Sequence, residues 1–198
     1  MIDFFQNNNM FNLIFQAMRK FILLSFYCII PFLGINAQKI SINKIDKFTK
    51  KRVVETSFER ISNSNPTNLN ILTKRVWIAF GKYDDTEYLR LKWCTISVLS
   101  INKDAEIIFL DNEGNTYTFK NAEYQISESG KGTAGAFGTG LQGLDIFAYG
   151  DISSLEGKNI TDMRIYTTDG IVDFEINKKA SNKISETYQV YKNTISKE

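Results

Sequence analysis

Residues 75–96 read RVWIAFGKYDDTEYLRLKWCTI, and their period decides what kind of chain this is. Val76, Ile78 and Phe80 alternate with Arg75, Trp77 and Ala79; Leu89, Leu91 and Trp93 then alternate with Arg90 and Lys92. A repeat of two places successive side chains on opposite faces of a strand, whereas a helix repeats every 3.6 residues. Asp84-Asp85 lies between the two runs as a turn. The segment therefore reads as a β-hairpin with one apolar face.

The same period continues outward in both directions. Upstream, KISINKI (39–45) puts Ile40 and Ile42 on one face, and RVVETSFERI (52–61) is rich in β-branched residues and reads as one further strand. SNSNPTN (62–68) collects turn formers and reads as a loop. Downstream, EIIFLD and TYTFK flank Asn112-Glu113-Gly114-Asn115, and MRIYTT and IVDFEI flank Asp169-Gly170. Glycine supplies the positive φ of a tight turn, so both are hairpin signals. LDIFAYG (144–150) is strand-like, and in DISSLEG (151–157) Asp151 or Ser153 is placed to cap one helical turn. Only the end changes period. Ala180, Ile184, Tyr188, Tyr191 and Ile195 recur at spacings of four and three, an amphipathic helix from about Lys178 to Thr194 that should pack on the sheet. With no internal repeat, residues 38–198 read as a single, mainly β (α+β) domain: an antiparallel sandwich or curved sheet with a C-terminal amphipathic helix.

Residues 1–37 have another character. From Met18 the chain runs MRKFILLSFYCIIPFLGINAQ: Arg19 and Lys20, an apolar run from Phe21 to Phe32, and then Ala37. A basic start, a short apolar centre and a small residue at the cut are the parts of a secretory signal peptide. Ile35 departs from the usual alanine at its position. The apolar run falls short of the roughly 20 residues that span a bilayer, so an uncleaved anchor is the alternative. Cys28 follows two bulky aromatics, which speaks against lipid attachment. The seventeen preceding residues sit awkwardly before a signal and point to Met18 as the start. The expectation is cleavage after Ala37, with the product in the periplasm or at the cell surface and no transmembrane span left. A domain of the remaining size buries about 70% of its unfolded surface and is stable without disulfides. That suits Cys94, which loses Cys28 with the leader and reads as a small buried hydrophobe.

Composition excludes several chemistries. The chain has no histidine, so imidazole triads and histidine metal sites are absent, and one remaining cysteine cannot build a zinc site. No metal and no cofactor are expected. A net charge of +2 offers no footprint for nucleic acid. Three carboxylate pairs remain: Asp84 with Asp85, Asp111 with Glu113, and Asp169 with Asp173. Each lies at or beside an expected turn, where such residues commonly belong; a glycosidase would need two facing carboxyls about 5–9 Å apart. DNEGNT fails as a calcium loop because glycine is fourth rather than sixth. Trp77, Tyr83, Tyr88, Trp93, Tyr117, Tyr149 and Tyr166 are either core residues beneath covered sheet faces or an outward row able to stack on a sugar.

SGKGTAGAFGTG (129–140) carries the letters G-x-G-x-x-G. A dinucleotide loop needs a helix after it, and here strand-like LDIFAYG follows. It is not a phosphate loop. The expected contact loop comprises Gly130, Lys131, Gly132, Gly135, Phe137, Gly138, Gly140 and Gly143, a flexible connection suited to binding.

The Ala37-Gln38 junction, KRVVETSFERI, GLQGLDIFAYGDISSLEG and DMRIYTTDGIVDFEINKKA together resemble small exported proteins of unknown function from Bacteroidetes-type bacteria. The resemblance implies export and a β-rich domain, and brings no activity, ligand or site residue. The functional expectation is an exported non-enzymatic domain binding a protein partner or envelope component. The alternatives are a carboxylate-dependent hydrolase of envelope glycans and a carbohydrate-binding module using exposed aromatics.

Overall fold

The computed structural model describes residues 39–62, 75–95, 97–132 and 142–197. The fold is mainly β and antiparallel, with one C-terminal helix. The hairpin that opened the sequence is its centre: β4 (Arg75–Tyr83) and β5 (Thr86–Thr95) pair from Arg75 opposite Cys94 to Tyr83 opposite Thr86. Asp84 takes the left-handed φ of 56° in the turn, a conformation aspartate tolerates better than most residues. β1 (Ile40–Ile45) and β2 (Arg52–Thr56) extend the sheet beyond β4, with a bulge between Ile40 and Ile42.

The run 52–61 is two strands rather than one. β2 stops at Thr56, whose Oγ1 accepts the Phe80 amide at 3.0 Å, and pairing resumes only in β3 (Glu59–Arg60). A side chain has taken over a ladder bond, and the backbone leaves register for Ser57 and Phe58. β6 (Ser100–Ile101) and β9 (Gln125–Ile126) form a small separate ladder. β7 (Glu106–Asp111) with β8 (Thr116–Asn121), and β12 (Ile160–Thr167) with β13 (Gly170–Glu175), are the two remaining expected hairpins. Gly114 and Gly170 have φ of 86° and 126° in their turns. β10 (Glu128–Ser129) leads into the glycine-rich stretch, and β11 (Gln142–Tyr149) leaves it.

The sheet runs β1-β2-β4-β5-β11-β8-β7-β12-β13, with β3 and β10 added at its side. β11 pairs with β5 over most of its length but meets β8 only at Ala148–Asn121 and Tyr149–Lys120. At this narrow seam the sheet folds over. Five strand spacings separate β5 from β13, about 24 Å if flat, yet the Trp93 and Phe174 ring centroids are 5.3 Å apart and edge-to-face. The two halves thus share one interior, with Ile78, Phe80, Leu89, Leu91 and Ile146 from one and Ile107, Phe109, Phe119, Met163 and Ile165 from the other.

Helix α1 (Lys178–Ile195) fills the remaining side. Asn177 caps it, its side chain accepting the Ala180 amide at 2.8 Å. Ala180, Ser181, Ile184, Thr187, Tyr188 and Tyr191 form its buried stripe. Tyr188 meets Phe80 edge-on at 5.4 Å, and Ser181 Oγ accepts the Ile160 amide at 2.8 Å, so α1 touches both halves. A short 3-10 turn at Ile152–Leu155, capped by Asp151, supplies Ile152 and Leu155 to the same core. Replacing Phe174 by alanine should lower the unfolding free energy by about 3–5 kcal/mol, read as a lower urea midpoint at unchanged m-value. A loss below about 1 kcal/mol would mean that the sheet does not close through this ring.

Candidate functional site

Because Leu89, Leu91 and Trp93 face the core, Tyr88, Arg90 and Lys92 of β5 face outward. Register places Gly81, Ala79 and Trp77 of β4 beside them, and on β11 Phe147 opposes Arg90 while Asp145 opposes Lys92. Small residues on β4 make room for large ones on β5. A Cβ at Gly81 would lie 2.3 Å from the Tyr88 ring, so the glycine lets that ring lie against the sheet.

Arg90 organises this face. Its Nε and Nη2 donate to the two oxygens of Asp145 at 2.8 and 2.7 Å, and its Nη1 donates to Glu55 at 3.0 and 2.9 Å. The guanidinium carbon lies 4.5 Å from the Phe147 ring centroid and 5.3 Å from that of Phe58, the residue displaced by the break after β2. Burial works against its charge, and the bonds to Asp145 and Glu55 outweigh that, holding Arg90 firmly protonated. Tyr88 donates its hydroxyl to Glu55 at 3.0 Å; burial and then the nearby Glu55 charge push the phenol well above its ordinary range. Glu55 is buried, with only 4% of its side chain exposed.

A groove of about 380 Å³ adjoins this cluster, lined by Glu123, Tyr124, Gln125, Ile126, Glu128, Lys131, Asp145 and Phe147. Tyr124 and Ile126 stand 58% and 47% exposed on its wall, although both are large apolar side chains. Asp145 joins groove and cluster, since it lines one and anchors the other. A second concavity of about 440 Å³ lies on the outer face of the other half, over Ile108 and Leu110 and beside the Arg164–Asp173 ion pair. The first is the candidate site because Lys131, at the start of the glycine-rich stretch, lines it.

Of the eight expected contact residues, Gly135, Phe137, Gly138 and Gly140 lie outside the described residues. Lys131 lines the groove and pairs with Glu128 at 2.7 Å. Gly130 has φ of 79°. Gly132 and Gly143 are fitted rather than loose. A Cβ on Gly143 would come within 2.1 Å of the Gly132 Cα, and one on Gly132 within 2.1 Å of the Trp93 carbonyl oxygen. Strand β10 leads into the glycine-rich stretch and strand β11, rather than the helix that a dinucleotide loop requires, is the next described element.

Asp84 with Asp85, and Asp111 with Glu113, sit at turns as expected, whereas of the third pair only Asp169 does; Asp173 lies within β13, opposite Arg164 of β12. Asp84 pairs with Lys51 at 3.0 Å, and Asp173 with Arg164 at 2.7 Å; Asp169 is exposed in the turn between β12 and β13. Asp111 accepts the Glu113 and Asn115 amides at 2.9 Å each and the Tyr117 hydroxyl at 2.6 Å. The Tyr117 bond foremost, with those from Asn115 and Glu113, holds its carboxyl well below the usual carboxylate range. Such a group accepts hydrogen bonds and does not deliver protons. The aromatics divide: Trp93 and Tyr88 are buried, Trp77, Tyr117 and Tyr166 are half-buried, and Tyr83 and Tyr149 are exposed. Cys94 is buried, as expected.

Among the described residues no group of three or more Asp, Glu, Cys or His is gathered as metal ligands are, and no helix is long and apolar enough to cross a membrane. Comparison with family models, curated proteins and solved structures finds no match for this chain.

The meeting of Glu55, Arg90 and Asp145 escaped the sequence reading, because they stand 35 and 55 positions apart. A signal was present in Gly81, a glycine inside a strand, which marks close approach by a cross-strand ring. Two predictions follow from the cluster and the turn. Arg90→Met strands two carboxylates and should cost about 3 kcal/mol, most of it recovered by adding Glu55→Gln and Asp145→Asn; absence of recovery would show that the three are not coupled. For Asp111 the folded-state pKa is depressed, so its stabilisation is complete above about pH 4 and is lost as pH falls through the lower folded value. Asp111→Asn should lower stability at neutral pH and flatten the acid unfolding curve; superimposable acid titrations of the two proteins would refute this.

Proposed function

We propose that the protein is exported and acts, in the periplasm or at the cell surface, as a non-enzymatic domain that binds a protein partner or envelope component. Residues 18–37 support export through their basic start, short apolar centre and Ala37. The resemblance to small exported proteins of Bacteroidetes-type bacteria points the same way. The observation that carries the binding reading is the groove lined by Lys131 of the glycine-rich stretch. Tyr124 and Ile126 present apolar surface to solvent there, against the half-buried Phe147 and the charges of Glu123, Glu128 and Lys131. Apolar anchors beside a few placed polar groups are what a recognition site requires. Residues 133–141 include no charged residue, and five of the nine are glycine or alanine beside bulky Phe137 and Leu141, a composition that suits contact with apolar surface.

Export is tested by sequencing the N-terminus of the protein recovered from outside the inner membrane. A product starting at Gln38 is expected; one retaining residues 18–37 would refute cleavage. Binding is tested by placing a photoreactive phenylalanine analogue at position 124 in the exported protein. One dominant adduct is expected, lost when Ile126→Asp is added. No adduct, or an adduct indifferent to that change, would overturn the assignment of the groove.

A further inference from the structure

A second contact area lies at one corner of the sheet, at the tip of the β1–β2 hairpin, and it does not depend on the groove reading. The tip reads Ile45-Asp46-Lys47-Phe48-Thr49-Lys50-Lys51. Phe48 is 83% exposed and Ile45 67%. Tyr83, at the adjoining end of β4, is exposed as well, and its hydroxyl donates to Thr49 Oγ1 at 3.1 Å, which joins its ring to the tip. Among the described residues, three of the eight exposed large hydrophobic side chains thus meet at this corner. That is a cluster, not the single scattered residues usual on a surface.

Cations surround these apolar groups. From Lys44 to Arg52 the sequence holds five cationic residues and one acidic one, Asp46. Lys44, Lys47 and Lys50 are exposed, and Lys47 holds its ammonium 4.9 Å from the Phe48 ring centroid. Lys51 lies 5.6 Å from the Tyr83 ring centroid and pairs with Asp84 at 3.0 Å. Asp84 and Asp85 are set back from the tip. Val53 is in register with Tyr83 and the Asp84 amide donates to the Arg52 carbonyl, so the β4–β5 turn ends level with Arg52 while residues 47–50 continue beyond it.

The backbone makes this tip more than a basic loop, because it depends little on water. The amides of Asp46 and Lys50 donate to the Lys51 and Asp46 carbonyls at 2.7 and 2.8 Å. Those of Phe48 and Thr49 donate to Asp46 Oδ1 at 2.9 and 2.8 Å, and that of Lys51 reaches Thr49 Oγ1 at 3.4 Å. Lys50 closes the turn in the left-handed region, with φ of 60°. A polar group taken out of water without a partner is costly, so a loop that enters a bilayer interface has to bond its own amides. This one does so while holding Phe48 outward.

We propose that the tip of the β1–β2 hairpin docks on an anionic lipid bilayer, with Phe48 and Ile45 at the boundary of headgroups and acyl chains and Lys44, Lys47 and Lys50 on the lipid phosphates. Interfacial elements bury their apolar groups only about 5–10 Å deep, a depth within reach of a hairpin tip. Such docking is peripheral and needs no spanning segment. Lysine stems lie along an apolar boundary while their ammoniums return to the phosphate level, and tyrosine, as at Tyr83, suits the interface itself. An acidic polymer in water would engage the cations and leave Phe48 and Ile45 wet. The bilayer is the occupant that uses both.

The test titrates the full chain carrying Phe48→Trp with vesicles of equal parts phosphatidylglycerol and phosphatidylcholine, alongside pure phosphatidylcholine vesicles, poly-glutamate and single-stranded DNA. Emission from Trp77 and Trp93 is subtracted using the parent, so the signal reports position 48 and is blind to attachment through residues 18–37. The introduced indole should shift to the blue on the anionic vesicles and be quenched by lipids brominated near the top of the acyl chain, with little change on phosphatidylcholine alone. In the same background Lys44→Gln and Lys47→Gln should each weaken partitioning about fivefold, and Ile45→Ser about tenfold; added salt should weaken it too. These side chains are exposed, so the substitutions leave the core untouched. The proposal is overturned by an unshifted indole on anionic vesicles, by an equal shift on phosphatidylcholine alone, or by lysine and isoleucine variants that partition without change. An equal blue shift with poly-glutamate or DNA would replace the bilayer with an acidic polymer.

Discussion

Arg90 brings a full positive charge to a position where a fifth of its side chain meets solvent, and two carboxylates accompany it. Burying any one of the three alone would cost several kcal/mol. Together they tie β2, β5 and β11 across the outer face, and the rings of Phe58 and Phe147 lie against the guanidinium. The placement of the groove follows. Asp145 and Phe147 form part of its lining because they are already oriented by Arg90. Its polarity follows too, since the Asp145 oxygens are engaged with Arg90 while Glu123 and Glu128 stand exposed beside it.

The opposite face of the same strands is governed by closure. A sheet whose path contains a seam of two residue pairs has little resistance to bending there, and the bend lets one interior serve both halves. α1 completes this interior instead of covering the outer face of β4 and β5, where Trp77, Arg90 and Lys92 are only half-buried. That arrangement separates the two demands on each strand. Inward positions satisfy packing, and outward positions are left to charge and recognition.

The hairpins, the C-terminal helix and the β-rich class were legible because they depend on local period and turn chemistry. Leu89, Leu91 and Trp93 announce the buried face of β5 by alternation alone, and the helix begins at Lys178 where its apolar spacing begins. The break after Thr56 was not legible, for it depends on a hydroxyl reaching an amide 24 positions away. The strand order was equally hidden, because register between distant strands leaves no local trace. The glycine-rich stretch was half legible. Its flanking strands could be read, but nothing in G-K-G distinguishes a glycine needed for mobility from one needed for contact.

That last distinction has a consequence for how the protein can change. With the Gly132 and Gly143 backbones pressed together against the Trp93 carbonyl, the stem is closed by the sheet itself, independently of what lies between. Lengthening a closed loop costs only a slowly growing entropy, about 0.6 kcal/mol for each doubling. The interval 133–141 is therefore a position where evolution, or a designer, is free to exchange one segment for another of different length while the scaffold stays the same.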